Sequence, residues 1–468
     1  MLVEQMYTNC LAQATYWVES EGEALVIDPL RDYSIYTEKA KERGVTIKFI
    51  LETHFHADFV SGHIDLSKST GAPIVYGPNA KTNFDIKQVV DNEVLKLGKV
   101  TITALHTPGH TPESTCYLLK DESGKDYCVF TGDTLFVGDV GRPDLLDKNN
   151  AFSKETMADW LFDSLNNKLK TLENEVIVYP AHGPGSSCGK NLGPETFSTI
   201  GIQKKENYAL QNLSKADFID QVLDGIKAPP NYFFQDAAMN KNGYLSIDEI
   251  KKQSLKALSL GEFEHETELG ALVLDSRVPD IFERGFIPGA INIGLNGQYA
   301  IWAAELINLD RKIVLVCAEG TEEESITRLA RVGFQNIAGF LNGGWQTYIE
   351  SDKPVDLVIS IDAYEFSLDY KHDEIKVLDV RKQGEWDSSH LEKAQHICLS
   401  QLTERIDEVE KDAKNPVYIH CAGGYRSMIA ASLLKKHGYS LIKNVYGGFN
   451  KIKDQEGLDL ISEALVVG

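Results

Sequence analysis

The sequence predicts a multidomain α/β protein of 468 residues, and three observations carry that reading. Short β-type runs alternate with turns and helical patterns up to about residue 190. A helical stretch follows. After it, βα texture returns and occurs twice in one register. The repeat is exact at three landmarks: 104 residues separate Asp275 in "VLDSR" from Asp379 in "VLDVR", Cys317 from Cys421, and Gly343 in "FLNGGW" from Gly447 in "VYGGF". Two copies of one unit of about 100 residues explain that register; two are too few for a solenoid.

The elements follow from local pattern. In the first 190 residues "EALVIDP", "IKFILETH", "PIVYG", "VTITALHTPGH", "YCVFTGD" and "VIVYPAHG" are apolar, β-branched runs stopped by Gly, Pro, Asp or His, as strands ending in loops should be. From about 195 to 257, "KADFIDQVLDGIKAPP" and "SIDEIKKQSLKAL" place apolar residues at helical spacing. Each repeat copy reads as strand, loop, strand ending at a cysteine, then helix, the alternation of a parallel sheet covered by helices. "SDKPVD" (351–356) is the expected linker between them.

Composition bounds the function. Hydrophobic content of 43% and charged content of 25% are those of a soluble globular chain. A net charge of −22 argues against nucleic acid or anionic membrane as partners. No apolar run of about 18 residues is present to span a bilayer. The start, "MLVEQMYTNCLAQATYWVES", has neither the basic-then-apolar layout of a secretory leader nor an Arg-rich transit pattern. Seven scattered cysteines with no CxxC read as thiols in a reducing, cytoplasmic setting.

Two segments carry chemistry. "CAGGYRS" (421–427) follows the strand "PVYIH" and opens the helical pattern "MIAASLLKKHGY". Such a loop aims backbone N–H groups and a helix N-terminus at the sulfur of Cys421, and Arg426 adds positive charge; both favour a sulfur-centred anion. "THFHADF" (53–59) packs His54, His56 and Asp58 into five residues and continues with Phe59, which cannot bind a metal. His110 in "HTPGHTPES", Asp133 in "VFTGDTLF" and His182 in "YPAHGPG" each follow a β-type run and so sit on loops at strand ends.

Cys421 through Arg426, with "DVR" upstream, resemble the rhodanese family of sulfur transferases, in which Cys421 would carry sulfane sulfur as a persulfide. Related phosphatases have a loop one residue longer. The first copy departs from the pattern: "CAEGTEE" puts Glu322 where Arg426 stands, with Glu319 and Glu323 beside it, so Cys317 is expected to be disfavoured as a thiolate. The N-terminal motifs, with Asp28 in "VIDP", resemble the metallo-β-lactamase superfamily over roughly residues 1–190. The resemblance implies an αββα sandwich followed by two rhodanese-like parallel-sheet domains, with boundaries 1–257, 258–352 and 353–468.

Dinuclear hydrolases of that superfamily use HxHxDH, and Phe59 removes the last histidine. A branch with one metal, the persulfide dioxygenases, uses two histidines and one aspartate on Fe(II). Here that resemblance implies His54, His110 and Asp133 as ligands of one iron per chain, a face suited to non-haem Fe(II) and O₂. His56, Asp58 and His182 would then support the ligands. Arg142, in "GDVGRPDL", would hold an anionic part of the substrate.

The whole chain thus resembles fusions of a persulfide dioxygenase with rhodanese domains, the first degenerate, in bacterial sulfide detoxification. The implied activity is oxidation of a small persulfide (of glutathione, coenzyme A, bacillithiol or similar) by O₂ to sulfite, with Cys421 transferring sulfane sulfur to give thiosulfate. The alternatives are a glyoxalase II-like dinuclear zinc thioester hydrolase and a persulfide-sensing regulator. Tandem domains and a helical extension leave surface for a homo-oligomer. "AMNKNGYLSIDE" (238–249) imitates a calcium loop, with Asn240, Asn242, Gly243 and Glu249 at positions 3, 5, 6 and 12. Its first ligand position is Ala238, so a turn before a helix is expected there, without calcium.

Overall fold

The computed structural model describes residues 1–145, 152–372, 374–412 and 414–462. They form two compact units: Met1–Glu249 with Ala330–Phe334, and Ile250–Leu329 with the chain from Gln335 onward.

The first unit is built on two six-stranded sheets. One runs in the order Leu2–Thr8, Gln13–Ser20, Glu23–Ile27, Thr46–Leu51, Ile74–Tyr76 and Lys87–Gln88. Its first three strands pair antiparallel and the rest parallel. The other runs in the order Ser198–Thr199, Ile177–Pro180, Asp126–Gly132, Thr115–Lys120, Val100–His106 and Val94–Leu97.

Strand alternation makes the layers. In "QATYWVES" and "EALVI", Tyr16, Val18, Leu25 and Ile27 point to one face, where they meet Leu97, Ile102, Tyr117 and Phe130 of the second sheet. Trp17, Ala24 and Val26 point to the other and pack on Tyr36 and Leu66, from the helices Ser34–Arg43 and His63–Thr70. The outer face of the second sheet is covered by Leu161, Leu165 and Leu169, from the helix Lys154–Ser164 and the turn that continues it. Helix, sheet, sheet, helix is the expected αββα sandwich. Because both faces of the central strands are buried, those strands read as nearly continuous apolar runs.

In the second unit, two five-stranded sheets repeat one parallel topology. The first is ordered Ala257–Leu258, Ile337–Leu341, Ile313–Val316, Leu272–Asp275, Ile291–Asn292, and every pair is parallel. The second is ordered Ile359–Ile361, Ile442–Val445, Val417–His420, Lys376–Asp379, Ala394–His396, again all parallel. The 104-residue register is therefore a register of strands. Each "DxR" is a local brace: Arg277 forks onto Asp275 and Arg381 onto Asp379, with closest contacts of 2.6 Å in both.

The calcium-like stretch lies in the first unit. Its first five residues, 238–242, belong to the helix Phe233–Asn242, so the turn expected there begins only at Gly243, before Ile247–Ser254. No helix among the described residues is long and apolar enough to cross a membrane.

Candidate metal centre and cysteine loop

Strand ends build the first site. His54, His110, Asp133 and His182 each sit just beyond the C-terminal end of a strand, and all four are buried. Asp28, beyond Ile27, anchors the first loop. It accepts the backbone N–H of Thr53 at 2.8 Å and its hydroxyl at 2.9 Å. With that hydroxyl proton committed to Asp28, Thr53 Oγ1 accepts from His54 Nδ1 at 2.9 Å. His110 Nδ1 donates to the Arg142 carbonyl at 2.9 Å. Both rings thus carry their proton on Nδ1 and turn the Nε2 lone pair inward, as metal ligation requires.

The two Nε2 atoms converge on one oxygen. Asp133 Oδ2 lies 3.7 Å from His54 Nε2 and 3.5 Å from His110 Nε2. It is buried without a hydrogen-bond partner, whereas Asp133 Oδ1 accepts from His182 Nδ1 at 2.7 Å. Burial, with the other histidines nearby, keeps His54 well below the usual imidazole range, and burial lowers His110 as well. Asp133 is held low: burial opposes its charge, but His182, by its charge and its hydrogen bond to Oδ1, outweighs it. Two neutral imidazoles and one carboxylate therefore face a common point, and their ligand atoms lie within 4.8 Å of one another.

The remaining sequence-flagged residues surround this triad. His182 lies between carboxylates, its Nε2 2.8 Å from Asp58 Oδ2. Burial pulls its pKa down, but Asp133 and Asp58 raise it to about 10. His56 turns away from the triad, with Nε2 3.1 Å from Asp28 and 3.4 Å from Glu52. Burial drives the Glu52 carboxyl up to about 7 against the pull of His56. Phe59, fully buried, packs on His56 with ring centroids 4.4 Å apart. The Arg142 guanidinium is spent on Asp144, at 2.7 and 2.8 Å, and on the Ser187 and Lys227 carbonyls. It is Arg142's carbonyl that reaches the site.

Two residues escaped the sequence reading. Cys188 lies with Asp58 and His182 in a second buried cluster, its thiol pushed up by burial and by Asp58 and Asp133. A cysteine six residues after His182 was the available signal. Asn240, a ligand position of the calcium-like decoy, instead reaches the "THFHADF" loop: Nδ2 donates to the His56 and Phe59 carbonyls, both at 2.8 Å, and Oδ1 accepts Ser61 N at 2.9 Å. Nothing local reveals such a contact across about 180 residues.

The second site is the loop after Val417–His420. Gly424, at φ 110°, caps the helix Tyr425–Lys436, and its N–H donates to Cys421 Sγ at 3.1 Å. A left-handed turn there requires glycine. Ser427 Oγ lies 3.6 Å from the sulfur and donates to Asn444. Arg426 is tied to Glu385 by two bonds of 2.6 and 2.8 Å, which leaves less free charge at the sulfur than the sequence reading supposed. In the first copy, Cys317 is driven up to about 11, by burial first and only then by Asp275 and Glu322. Burial, more than the acidic loop, holds it as a thiol.

A four-layer sandwich with histidine and carboxylate clusters at its strand ends defines a metal-binding, metallo-β-lactamase-type fold. The model of the Metallo-beta-lactamase superfamily matches residues 8–182, and that of the Rhodanese-like domain matches 259–351 and 362–455. A solved metallo-beta-lactamase of Staphylococcus aureus subsp. aureus COL is 31% identical with a TM-score of 0.64, over 73% of this chain and 99% of that one. The chain belongs to the metallo-beta-lactamase superfamily and carries two rhodanese-like domains. Among curated relatives, a probable hydroxyacylglutathione hydrolase of Schizosaccharomyces pombe is 34% identical over 35% of this chain, which spans 60% of that relative's length. The mitochondrial persulfide dioxygenase ETHE1 of Mus musculus is 27% identical over 49% of this chain and 83% of its own.

Two outcomes follow from this geometry. Asn240→Leu should fold yet bind metal about ten- to a hundredfold more weakly, because its three bonds hold the loop that carries His54. Chelator competition measures it, and native affinity would show the loop to be self-supporting. Iodoacetamide at neutral pH should label Cys421 well before Cys317, since a thiol at about 11 is ionised on the order of one part in ten thousand at pH 7. Cys317 labelling should climb as pH rises toward 11; peptide mass spectrometry reads both.

Proposed function

We propose that the chain oxidises a small persulfide with O₂ at one Fe(II) held by His54, His110 and Asp133, and moves sulfane sulfur on Cys421. The carrying observation is the bare, buried Asp133 Oδ2 facing two inward lone pairs, with Phe59 in place of a further nitrogen donor. Two histidines and one carboxylate on one face leave open positions, the donor set of non-haem iron oxygenases. The likeness to a persulfide dioxygenase supports this reading.

Iron there would supply activation of O₂ beside the bound persulfide. The chain supplies the rest. The Asp28–Thr53 pair and the Arg142 carbonyl fix both imidazole tautomers. His182, braced by Asp58, holds Asp133 Oδ1 and so turns Oδ2 inward. His56 holds Asp28 in place, and the buried ring of Phe59 packs on His56. Overall, RSSH, O₂ and water give RSH and sulfite. In the second unit, the Cys421 thiolate attacks the outer sulfur of a second RSSH, whose S–S bond breaks to release RSH and leave Cys–S–S⁻; sulfite attacking that outer sulfur then releases thiosulfate and the thiolate. The substrate is a persulfide of glutathione, coenzyme A, bacillithiol or a similar thiol.

A second reading has one specific support. Asp58, His182 and Cys188 form a cluster that would take a second metal, and the hydroxyacylglutathione hydrolase likeness points to thioester hydrolysis. Against it, both ring nitrogens of His182 already face carboxylates, and Cys188 is held as a thiol.

Anaerobically purified protein should contain about one iron per chain. His54→Ala, His110→Ala or Asp133→Ala should strip it and abolish persulfide-dependent O₂ uptake, while His182→Ala retains most of the iron. Two tightly held zincs, or loss of all iron from His182→Ala, would favour the second reading. Given excess persulfide and O₂, Cys421→Ser should release sulfite where native protein accumulates thiosulfate; an unchanged thiosulfate yield would exclude Cys421 as the carrier.

A further inference from the structure

The Cys421 loop is fixed at its start within its own domain, where Phe449 N–H donates to the Cys421 carbonyl at 2.7 Å and Asn450 N–H to the Ala422 carbonyl at 3.0 Å; its glycines are the part left to be held. Ala422, Gly423 and Gly424 join the strand to the helix, and a Cβ placed at Gly423 would meet nothing within 4 Å. Two glycines give such a segment large conformational freedom, yet it must keep the Gly424 N–H on the sulfur through loading and unloading. Arg426 to Glu385 and Ser427 to Asn444 hold its far end from within the second copy. Tyr425, between the glycines and Arg426, is held by the first copy. Its hydroxyl donates to the Gly294 carbonyl at 2.7 Å. A Cβ on Gly297 would lie 2.4 Å from the Tyr425 ring, so glycine at 297 makes the cradle in which that ring sits.

The cradle is itself braced. Arg328, on the helix Glu322–Ala330 that opens the degenerate cysteine loop, donates to the Leu295 carbonyl at 2.6 Å and the Gly297 carbonyl at 2.9 Å. It does so while only 8% exposed. The contact is broad. The helix Tyr425–Lys436 is buried continuously from Ser427 to Leu434, and Ser432 accepts the backbone N–H of Asn292, on the first copy's edge strand. A helix buried on all sides is wedged between two bodies.

We propose that the first rhodanese-like copy, although it carries Glu322 in place of arginine, is a working part of the second copy's site. It acts as the fixed wall that positions the persulfide loop, and Tyr425, seated on Gly294 and Gly297, is the positioning residue. This rests on the reading of Cys421 as the sulfur carrier. Tyr425 turns its hydroxyl to Gly294, not to the sulfur; it fixes the backbone between Cys421 and Arg426, and through it the direction of the Gly424 N–H at Sγ. Retention of a degenerate copy is explained by this duty.

The test uses full-length Tyr425→Phe, Tyr425→Ala and Gly297→Ala, with two readouts. In steady-state sulfur transfer from thiosulfate to a small thiol, Tyr425→Phe keeps the ring seated and should lose about five- to tenfold in kcat/KM, the loss of one hydrogen bond. Gly297→Ala, a methyl group in the other copy, should lose at least as much. In both, most of the loss should fall on kcat, because loop shape, not substrate binding, is altered. The second readout needs no turnover: the rate of Cys421 alkylation by iodoacetamide should change in all three variants in the order Phe, Gly297→Ala, Tyr425→Ala, with the melting temperature of Tyr425→Phe unchanged. If native protein moves no sulfur but the alkylation order holds, the carrier reading fails and the wall stands. Native alkylation rates in all three variants overturn the wall, as do native kcat and KM in Tyr425→Phe and Gly297→Ala.

Discussion

The carboxylate of Asp133 is the constraint on which the first site depends. One of its oxygens is satisfied by His182; the other is buried, unpartnered and faced by two nitrogen lone pairs. Leaving such an oxygen bare costs about 1–3 kcal/mol or more for a charged group, and that cost persists in a fold only where something offsets it. A bound cation does. The arrangement around it has one direction: Asp28 holds Thr53, Thr53 holds His54, the Arg142 carbonyl holds His110, and Asp58 holds His182. Each outer group decides which atom of an inner group is left over. The site is thus defined less by residues near the centre than by which of their atoms the outer groups have already used.

That distinction separates His54 from His56. The two histidines are alternate residues of one loop, and composition cannot tell them apart. His56 Nε2 faces Asp28 at 3.1 Å and Glu52 at 3.4 Å rather than Asp133, and Asp28 with Glu52 holds its pKa above the usual imidazole range against burial. Phe59 works in the same sense, its buried ring packing on His56 with centroids 4.4 Å apart. The loop therefore offers one histidine inward and keeps the other as part of its foundation.

Much of this was legible in the chain. Apolar runs ending in His or Asp placed four site residues at strand ends, and the 104-residue register anticipated two sheets of identical strand order. What escaped was long-range or depended on partners. Asn240 grips the "THFHADF" loop from a helix about 180 residues away, in a stretch whose spacing imitates a calcium loop. Cys188 was one of seven scattered thiols. Arg142 stood in a motif suggestive of anion binding, but its guanidinium is spent on Asp144 and two carbonyls. For Cys317 the acidic neighbours were visible and the burial that outweighs them was not, because burial belongs to the fold and charge to the sequence.

The two rhodanese-like copies show how separable fold and chemistry are. Both keep the Asp–Arg brace, the five parallel strands in one order, and a cysteine at the same strand end. The brace is local to each sheet, within one Asp–x–Arg triplet, and is present in both. The arginine of the cysteine loop, Arg426, has no counterpart in the first copy, where Glu322 takes its place in the helix Glu322–Ala330 and the fold is kept. Drift at such a position is checked only by function. The first copy's surface is pressed against its twin. Here that surface carries two glycines, Gly294 and Gly297, where a tyrosine of the active loop comes to rest. Small residues at a contact are needed when something large must fit there, and the large residue is next to the arginine that the first copy lost.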